Sequence, residues 1–107
     1  MFQLSAPAVS VFGSAEFRAA VNALWLPALE RFQPEMVFVS AGFDAHVQDE
    51  MSGLRLSDAD YRWLTGFCLE TAERHAGGRL VSVLEGGYDL GALGRSAARH
   101  VRALYDA

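Results

Sequence analysis

Two apolar runs, each followed by a short motif that contains glycine, dominate the hydrophobic pattern of this chain. Val37–Val39 and Leu80–Leu84 are nearly continuous in apolar side chains, which is typical of strands that are covered on both faces. Between them, the segment from Ser57 to Ala76 repeats apolar residues at helical spacing. A strand, a helix and a second strand in this order predict two parallel strands joined by a helical crossover.

Three helical segments complete the pattern. The first is predicted to begin near Ser14, which can cap it, and Pro27 is expected to kink it, to end it or to start a second turn. The second has a capping pattern at Ser57–Asp60. The third is predicted over about Leu90–Tyr105, with Asp89 as its cap. The order helix, strand, helix, strand, helix indicates an α/β fold, with a parallel sheet flanked by helices.

The two glycine-containing motifs directly follow the predicted strands. Ser40–His46 leaves the first strand and carries Asp44, whereas Leu84–Asp89 leaves the second strand and carries Tyr88. Parallel strands end at one edge of a sheet, where open α/β proteins place their ligands. Asp44 and Tyr88 are therefore expected to face one cavity.

A sheet of two such strands is expected to be incomplete. Sheets contain about five to six strands on average, and buried parallel strands need neighbours on both sides. We therefore expect this chain to be the carboxyl-terminal piece of a larger α/β enzyme, or else to complete its sheet by pairing with another chain.

Composition agrees with an ordinary soluble protein and excludes several classes of partner. The chain has 107 residues, a formal net charge of -4 and 9 cationic residues, all of them arginines scattered along the sequence. It offers no polybasic patch to nucleic acid or anionic lipid. No apolar run reaches the roughly eighteen residues of a membrane span, and the amino terminus lacks the features of a signal peptide. A cytoplasmic location is expected, and the single cysteine, Cys68, excludes an internal disulfide framework.

The motifs, taken together, resemble a known family. Residues 40–46, the nearby Asp49, the Leu56–Ser57 helix start and residues 78–90 are similar, in order and separation, to the carboxyl-terminal third of the zinc-dependent histone deacetylase and acetylpolyamine amidohydrolase family. The likeness is greatest to its bacterial and class II members, and it extends over about residues 13–104. It implies that residues 1–107 form a single partial domain with part of an arginase/deacetylase-type fold. Glu50 is a departure, because the family usually has a proline there.

The resemblance implies roles for particular residues. Asp44 corresponds to one of the three protein ligands of a catalytic zinc ion (Zn²⁺). Tyr88 corresponds to the residue that hydrogen-bonds the acetyl carbonyl as it becomes an oxyanion, as a protonated phenol can at neutral pH. Gly86 and Gly87 would let the backbone turn sharply and approach the substrate. The implied activity is that of a hydrolase, a deacetylase that removes acetyl from lysine or polyamine amines.

The histidines of this chain do not supply the rest of such a site. The family's other zinc ligands and its adjacent histidine pair belong to segments upstream of this sequence. His46 stands at a position that is not a zinc ligand in the family, and His75 and His100 are predicted to be surface residues near helix ends. Because catalytic zinc uses three protein ligands, the chain alone is expected to be inactive.

Other interpretations of the same residues stay open. Asp44 could only hold a turn through backbone amides, and Tyr88 could be a packed residue whose hydroxyl finds a partner. For the whole chain, one alternative is a non-catalytic truncated module that self-associates through open sheet edges. Another is a nucleotide-binding α/β half with Gly86–Gly87 as an anion site, although three suitably spaced glycines are lacking.

Overall fold

The computed structural model of the protein describes residues 13–50 and 54–107, and it is an α/β fold with the predicted order of elements. The strands β1 and β2 are hydrogen-bonded neighbours and run parallel, with Val37 paired to Leu80 and Ala41 paired to Leu84. Within the described ranges, no helix is both long enough and apolar enough to cross a bilayer. The elements are α1 (Ser14–Ala20), α2 (Leu26–Phe32), β1 (Val37–Ala41), α3 (Asp58–His75), β2 (Leu80–Leu84) and α4 (Leu90–Tyr105).

The first helical region is divided by a π-helical segment, Val21–Trp25, which joins α1 to α2. Pro27 explains the division, because a proline ring crowds the carbonyl four residues earlier, and Ala23 lies inside the π-helical segment. Pro27 itself occupies the first turn of α2, where its missing N–H is not required. Of the outcomes that the sequence allowed, Pro27 thus starts a second helical segment.

The predicted cap of the first helix is wrong. Gly13, which has no side chain to donate or accept, is the N-cap residue of α1, and the Ser14 hydroxyl instead donates to the Asp60 carboxylate. Asp60 is fully buried and also accepts from Arg18 Nε and from the Ser57 backbone N–H, each at 2.9 Å. Burial alone would raise the pKa of Asp60, but these hydrogen bonds outweigh it and lower that pKa. Ser14 therefore ties α1 to α3.

The two long helices begin at the predicted caps. Ser57 and Asp60 form a reciprocal capping box at the start of α3, and Asp89 Oδ1 accepts from Ala92 N at 2.9 Å at the start of α4. The helices α3 and α4 pack against each other, and α3 also contacts both strands. The core therefore lies close to the carboxyl end of β1. Its buried members are Ala41, Phe43, Leu56 and Tyr61, with Phe17, Val39, Ala45, Leu93 and Ala97 packed around them.

The described residues cover the sheet on one face, although the apolar runs predicted cover on both. From Val37 to Ser40 and from Leu80 to Val83, residues alternate between half-buried and exposed, while Ala41 is buried and Leu84 is exposed. Phe38 is paired with Val81 and is 71% exposed, while Val81 and Val83 lie on the same exposed side. We call Phe38, Val81 and Val83 the open sheet face. Its apolar character is that of a surface which another element covers.

His100 is buried, which corrects its predicted place on the surface. Its Nδ1 pairs with Thr65 Oγ1 and its Nε2 with Ser82 Oγ, each at 2.7 Å, so that it links α3, β2 and α4. The helical spacing of Ala97, His100 and Leu104 places them on one side of α4, a signal that could have identified the position as buried. Burial lowers the pKa of His100 below its ordinary value of 6.5.

We expect acid to destabilise the fold through His100. The pKa of His100 is lower in the folded chain than in the unfolded chain. As the pH falls below about 6.5, the unfolded chain therefore binds a proton that the folded chain does not, and the free energy of unfolding becomes smaller. Urea denaturation between about pH 5 and 8 measures this slope. His100→Gln should flatten it, whereas His75→Gln, at the end of α3, serves as the matched control. An equal slope in wild type and His100→Gln would contradict the prediction.

Candidate active site

The candidate site lies where the loops that follow β1 and β2 run side by side. Pairing continues beyond the strands, because Glu85 N donates to Ala41 O at 2.9 Å and Phe43 N donates to Gly86 O at 2.8 Å. Both motifs therefore leave the same edge of the sheet as direct neighbours. This is the carboxyl edge, at which parallel α/β sheets place their ligands.

Asp44 and Tyr88 meet beside Gly86. A Cβ atom placed on Gly86 would lie 3.2 Å from Asp44 Oδ2 and 3.4 Å from the Tyr88 hydroxyl oxygen. The missing side chain at Gly86 thus leaves room for a carboxylate and a phenol to approach one point. Tyr88 is 60% exposed and Asp44 is half-buried, so a ligand at this edge of the sheet can reach Tyr88. The structure therefore brings together the two residues that the sequence predicts to face one cavity.

Glycine is needed at position 87 for the backbone turn and the close packing of Leu93, not to make room beside Asp44. Its φ is +144°, and a Cβ there would lie 2.8 Å from Leu93 Cδ1 and 3.3 Å from Phe43 Cβ. A larger residue would combine an unfavourable backbone conformation with a collision in the core. Gly87 therefore allows the chain to pass from β2 into α4 while Leu93 packs closely against it.

The loop that carries Asp44 is held by hydrogen bonds of the residues that directly follow Asp44. Ala45 N donates to the Tyr61 hydroxyl at 3.1 Å. Leu56 N donates to Ala45 O at 3.0 Å, and Val47 N donates to Leu56 O at 2.7 Å. Burial raises the pKa of Tyr61 above its ordinary value, which keeps the hydroxyl protonated. The Asp44 backbone is thus anchored to the start of α3.

His46 is buried in the same loop, with both ring nitrogens occupied. Nδ1 accepts from Gln48 N at 3.0 Å, which assigns the proton to Nε2, and Nε2 donates to Asp58 Oδ1 at 2.6 Å. Asp58 also accepts from Arg95 Nε at 3.1 Å. Burial would raise the pKa of Asp58, but the hydrogen bonds from His46 and Arg95 lower it overall. Both ring nitrogens of His46 thus stabilise the loop through hydrogen bonds, and neither is available to bind a metal ion.

Asp49 connects the Asp44 loop to the Tyr88 loop. It is buried, and its Oδ2 accepts from the backbone N–H of Tyr88 at 2.7 Å and from that of Asp89 at 3.1 Å. In the sequence, Asp49 is noticeable only as part of the motif, and nothing there predicts this contact. The partners are backbone groups on the second loop, and no local pattern points to them.

The described residues do not make a metal site by themselves. Within residues 13–50 and 54–107, no group of three or more His, Cys, Asp or Glu side chains is placed to hold an ion. Asp44 can supply one carboxylate oxygen, a normal ligand of zinc, whereas catalytic zinc sites use three protein ligands. The described residues could therefore supply one ligand of such a site.

Comparison with known proteins decides the family. The family model of the histone deacetylase domain matches residues 1–104. The chain belongs to the histone deacetylase domain family. This histone deacetylase-family chain is 42% identical over 87 residues to the histone deacetylase-like amidohydrolase of Pseudomonas aeruginosa, which covers 81% of the chain and 23% of that relative. It is 38% identical over 100 residues to histone deacetylase 10, chloroplastic, of Oryza sativa subsp. japonica, covering 94% of the chain and 23% of that relative.

Solved structures of the family agree with this assignment. The histone deacetylase Clr3 is similar with a TM-score of 0.80 and 28% identity, over 92% of this chain and 16% of that one. The α/β fold is therefore of the arginase/deacetylase type, as predicted. The histone deacetylase-family chain spans about a quarter of the length of the two curated relatives. Its bacterial and class II character, its cytoplasmic location, its partners and the roles of its site residues stay predictions.

Proposed function

We propose that this chain is part of a zinc-dependent deacetylase domain that removes acetyl groups from lysine or polyamine amines. In this proposal Asp44 is one of the zinc ligands, and Tyr88 stabilises the oxyanion. The observation that supports it most directly is the approach of the Asp44 carboxylate and the Tyr88 hydroxyl to one point beside Gly86. Membership of the histone deacetylase family supplies the reaction class.

Tyr88 has the chemistry and the exposure that its role requires. A phenol that is protonated at neutral pH can donate a hydrogen bond to an acetamide oxygen as negative charge develops on it. Tyr88 is 60% exposed, and its hydroxyl lies beside Gly86. In this proposal Gly86 contributes to substrate binding because it places no side chain between Asp44 and Tyr88. Gly87 contributes through the turn that presents Tyr88, which its φ of +144° allows.

We infer that the remaining machinery lies in another part of the same domain. The described residues offer one carboxylate where three protein ligands are needed. The chain corresponds to 23% of the Pseudomonas relative, and the open sheet face presents apolar side chains that a neighbouring strand or helix would cover. An upstream segment that covers this face and supplies the other ligands would answer both needs. The chain alone would then be catalytically inactive.

Self-association is a second candidate, and the open sheet face favours it. Phe38, Val81 and Val83 could pair with the same face of a second copy in a non-catalytic module. Light scattering of the purified chain, with Phe38→Ser as a variant, distinguishes the two. A defined oligomer that dissociates in Phe38→Ser would support the module. A monomer that assembles only with an upstream deacetylase segment would support the enzyme fragment.

The geometry does not favour the nucleotide-binding alternative. An anion site at the start of α4 would use backbone N–H groups, but those of Tyr88 and Asp89 already donate to the Asp49 carboxylate. The Asp44 carboxylate also lies beside Gly86, so a phosphate there would meet a second negative charge. The loop therefore suits a neutral acyl group better than a phosphate.

The test of the proposed function supplies the missing part of the domain. The chain is assayed alone and after co-expression with the upstream portion of the Pseudomonas aeruginosa amidohydrolase, which is its 42% identical relative. We expect the chain alone to show neither hydrolysis of an acetyl-lysine reporter nor tight zinc binding in calorimetry. The co-expressed complex should show both, and Asp44→Asn should abolish both. Tight Asp44-dependent zinc binding by the chain alone, or an inactive but assembled complex, would contradict the proposal.

A further inference from the structure

The buried carboxylate of Asp49 accepts hydrogen bonds from the Tyr88 loop, and Asp49 has no role in the proposed hydrolysis described above. Asp49 is 3% exposed, and a single oxygen, Oδ2, accepts two consecutive backbone N–H groups, those of Tyr88 and Asp89. Hydrogen bonds to a charged acceptor are shorter and stronger than those between neutral groups. The 2.7 Å bond from Tyr88 N is of this kind. The carboxylate thus holds the backbone of the residue whose hydroxyl lies beside Gly86, near the Asp44 carboxylate.

The Tyr88 loop depends on such contacts because it has no regular structure of its own. Residues 85–89 lie between β2 and α4 without helical or strand conformation. Phe43 N donates to Gly86 O and holds the first part of this loop. Asp49 holds the second part, at Tyr88 and Asp89. The Tyr88 side chain is 60% exposed, so these hydrogen bonds to the loop backbone are the contacts that fix where the side chain starts.

Asp49 stands on the loop that also carries Asp44. Asp49 N donates to His46 O at 2.9 Å, and His46 is in turn held by Asp58 at the start of α3. One side chain therefore fastens the loop of the carboxylate to the loop of the phenol. A shift of either loop would change the separation between Asp44 and the Tyr88 hydroxyl.

We propose that Asp49 is a positioning residue, which sets the place of the Tyr88 hydroxyl relative to the Asp44 carboxylate. The inference rests on the proposed function, since it concerns the geometry of the same site. Asp49 acts through the backbone of Tyr88 and does not itself touch the substrate. Its loss would misplace the phenol while the core below remains packed.

The first experiment uses the chain alone and needs no enzymatic activity. Amide hydrogen exchange, followed by NMR on a ¹⁵N-labelled sample, reports on the Tyr88 and Asp89 N–H groups. In Asp49→Ala we expect these two amides to exchange about 10 to 100 times faster relative to Phe43, and in Asp49→Asn by a smaller factor. If Asp49→Ala does not fold, Asp49→Asn carries the test. Unchanged exchange at both amides in a folded variant would overturn the inference.

A matched control separates positioning from general stability. Asp60 is an equally buried aspartate, but it accepts from Ser57 and Arg18 and holds α1 to α3. Asp60→Asn should accelerate exchange throughout the chain without a specific effect at Tyr88 and Asp89. An equally selective effect of Asp60→Asn on the two amides would count against the role of Asp49.

A second experiment uses the complex formed with the upstream deacetylase portion. If Asp49 acts through Tyr88, Asp49→Asn should lower kcat about 10-fold or more with little change in KM, and should have no further effect in a Tyr88→Phe background. Independent, multiplicative losses in the double variant would overturn the inference. A wild-type complex without activity would instead contradict the proposed function, and the exchange experiment would still decide on Asp49.

Discussion

Replacing Gly87 by alanine is expected to lower the free energy of unfolding by roughly 2–5 kcal/mol. Two effects add at this position. The φ of +144° is a conformation that residues with a side chain rarely adopt, and the new methyl group would lie 2.8 Å from Leu93 Cδ1. The partly buried Leu93 packs against the core cluster, and the new methyl group would also lie 3.3 Å from Cβ of the buried Phe43, so a shift of Leu93 alone does not remove the crowding.

Urea denaturation of wild type and Gly87→Ala measures this loss, and Gly94→Ala is its matched control. Gly94 lies within α4, and no described atom outside its own helix turn comes within 4 Å of a Cβ placed there. Alanine at this exposed helical position should therefore stabilise the chain by up to about 1 kcal/mol. A Gly87→Ala variant as stable as wild type would show that the turn does not require glycine.

Local sequence signals predicted the elements and their arrangement. Ser57 and Asp60 predict the start of α3, and Asp89 predicts the start of α4. Both could be identified from sequence because the residues of each cap lie within three positions of each other. The helical crossover required parallel strands, and the register then brought the loops after β1 and β2 to one edge. Asp44 and Tyr88 could be placed together for that reason alone.

The contacts that sequence analysis missed join residues far apart in the chain. Ser14 is 46 residues from the Asp60 carboxylate that takes its hydroxyl, and His100 lies 35 residues from Thr65. Tyr88 N lies 39 residues from Asp49. A polar residue that satisfies a distant partner looks, in sequence, like one that faces water or caps its own helix. Only the packing of α1 and α4 against α3, and of the two loops against each other, reveals the difference.

The described residues cover less of the sheet than its apolar strands predict. Apolar strands were expected to be buried on both faces, and the apolar residues are present, but the described elements cover one face. A nearly continuous apolar sequence indicates that both faces of a strand are covered in the folded protein, whichever segment supplies the cover. In the proposed function, a neighbouring part of the domain would both cover the open sheet face and add ligands to the Asp44 carboxylate.

The Tyr88→Phe variant should separate chemistry from folding more sharply than any other change at this site. If Tyr88 has the proposed role, kcat should fall about 10² to 10³-fold in the complex with the upstream portion, because one donor to the developing oxyanion would be lost. Its free energy of unfolding should stay within about 0.5 kcal/mol of wild type, since Tyr88 is exposed and the phenyl ring is retained. Steady-state hydrolysis of an acetyl-lysine reporter, together with urea denaturation, measures both quantities.

Tyr105→Phe is the control for this change, because it removes the hydroxyl of another exposed tyrosine, at the far end of α4. Its kcat and stability should match wild type. Full activity in Tyr88→Phe would leave Tyr88 without a catalytic role, whereas equal losses in the two variants would point to a general effect of removing a hydroxyl. A loss confined to Tyr88→Phe, at unchanged stability, would assign the effect to the hydroxyl, which lies beside Gly86 together with the Asp44 carboxylate. That outcome would connect the geometry of the two loops directly to the proposed hydrolysis.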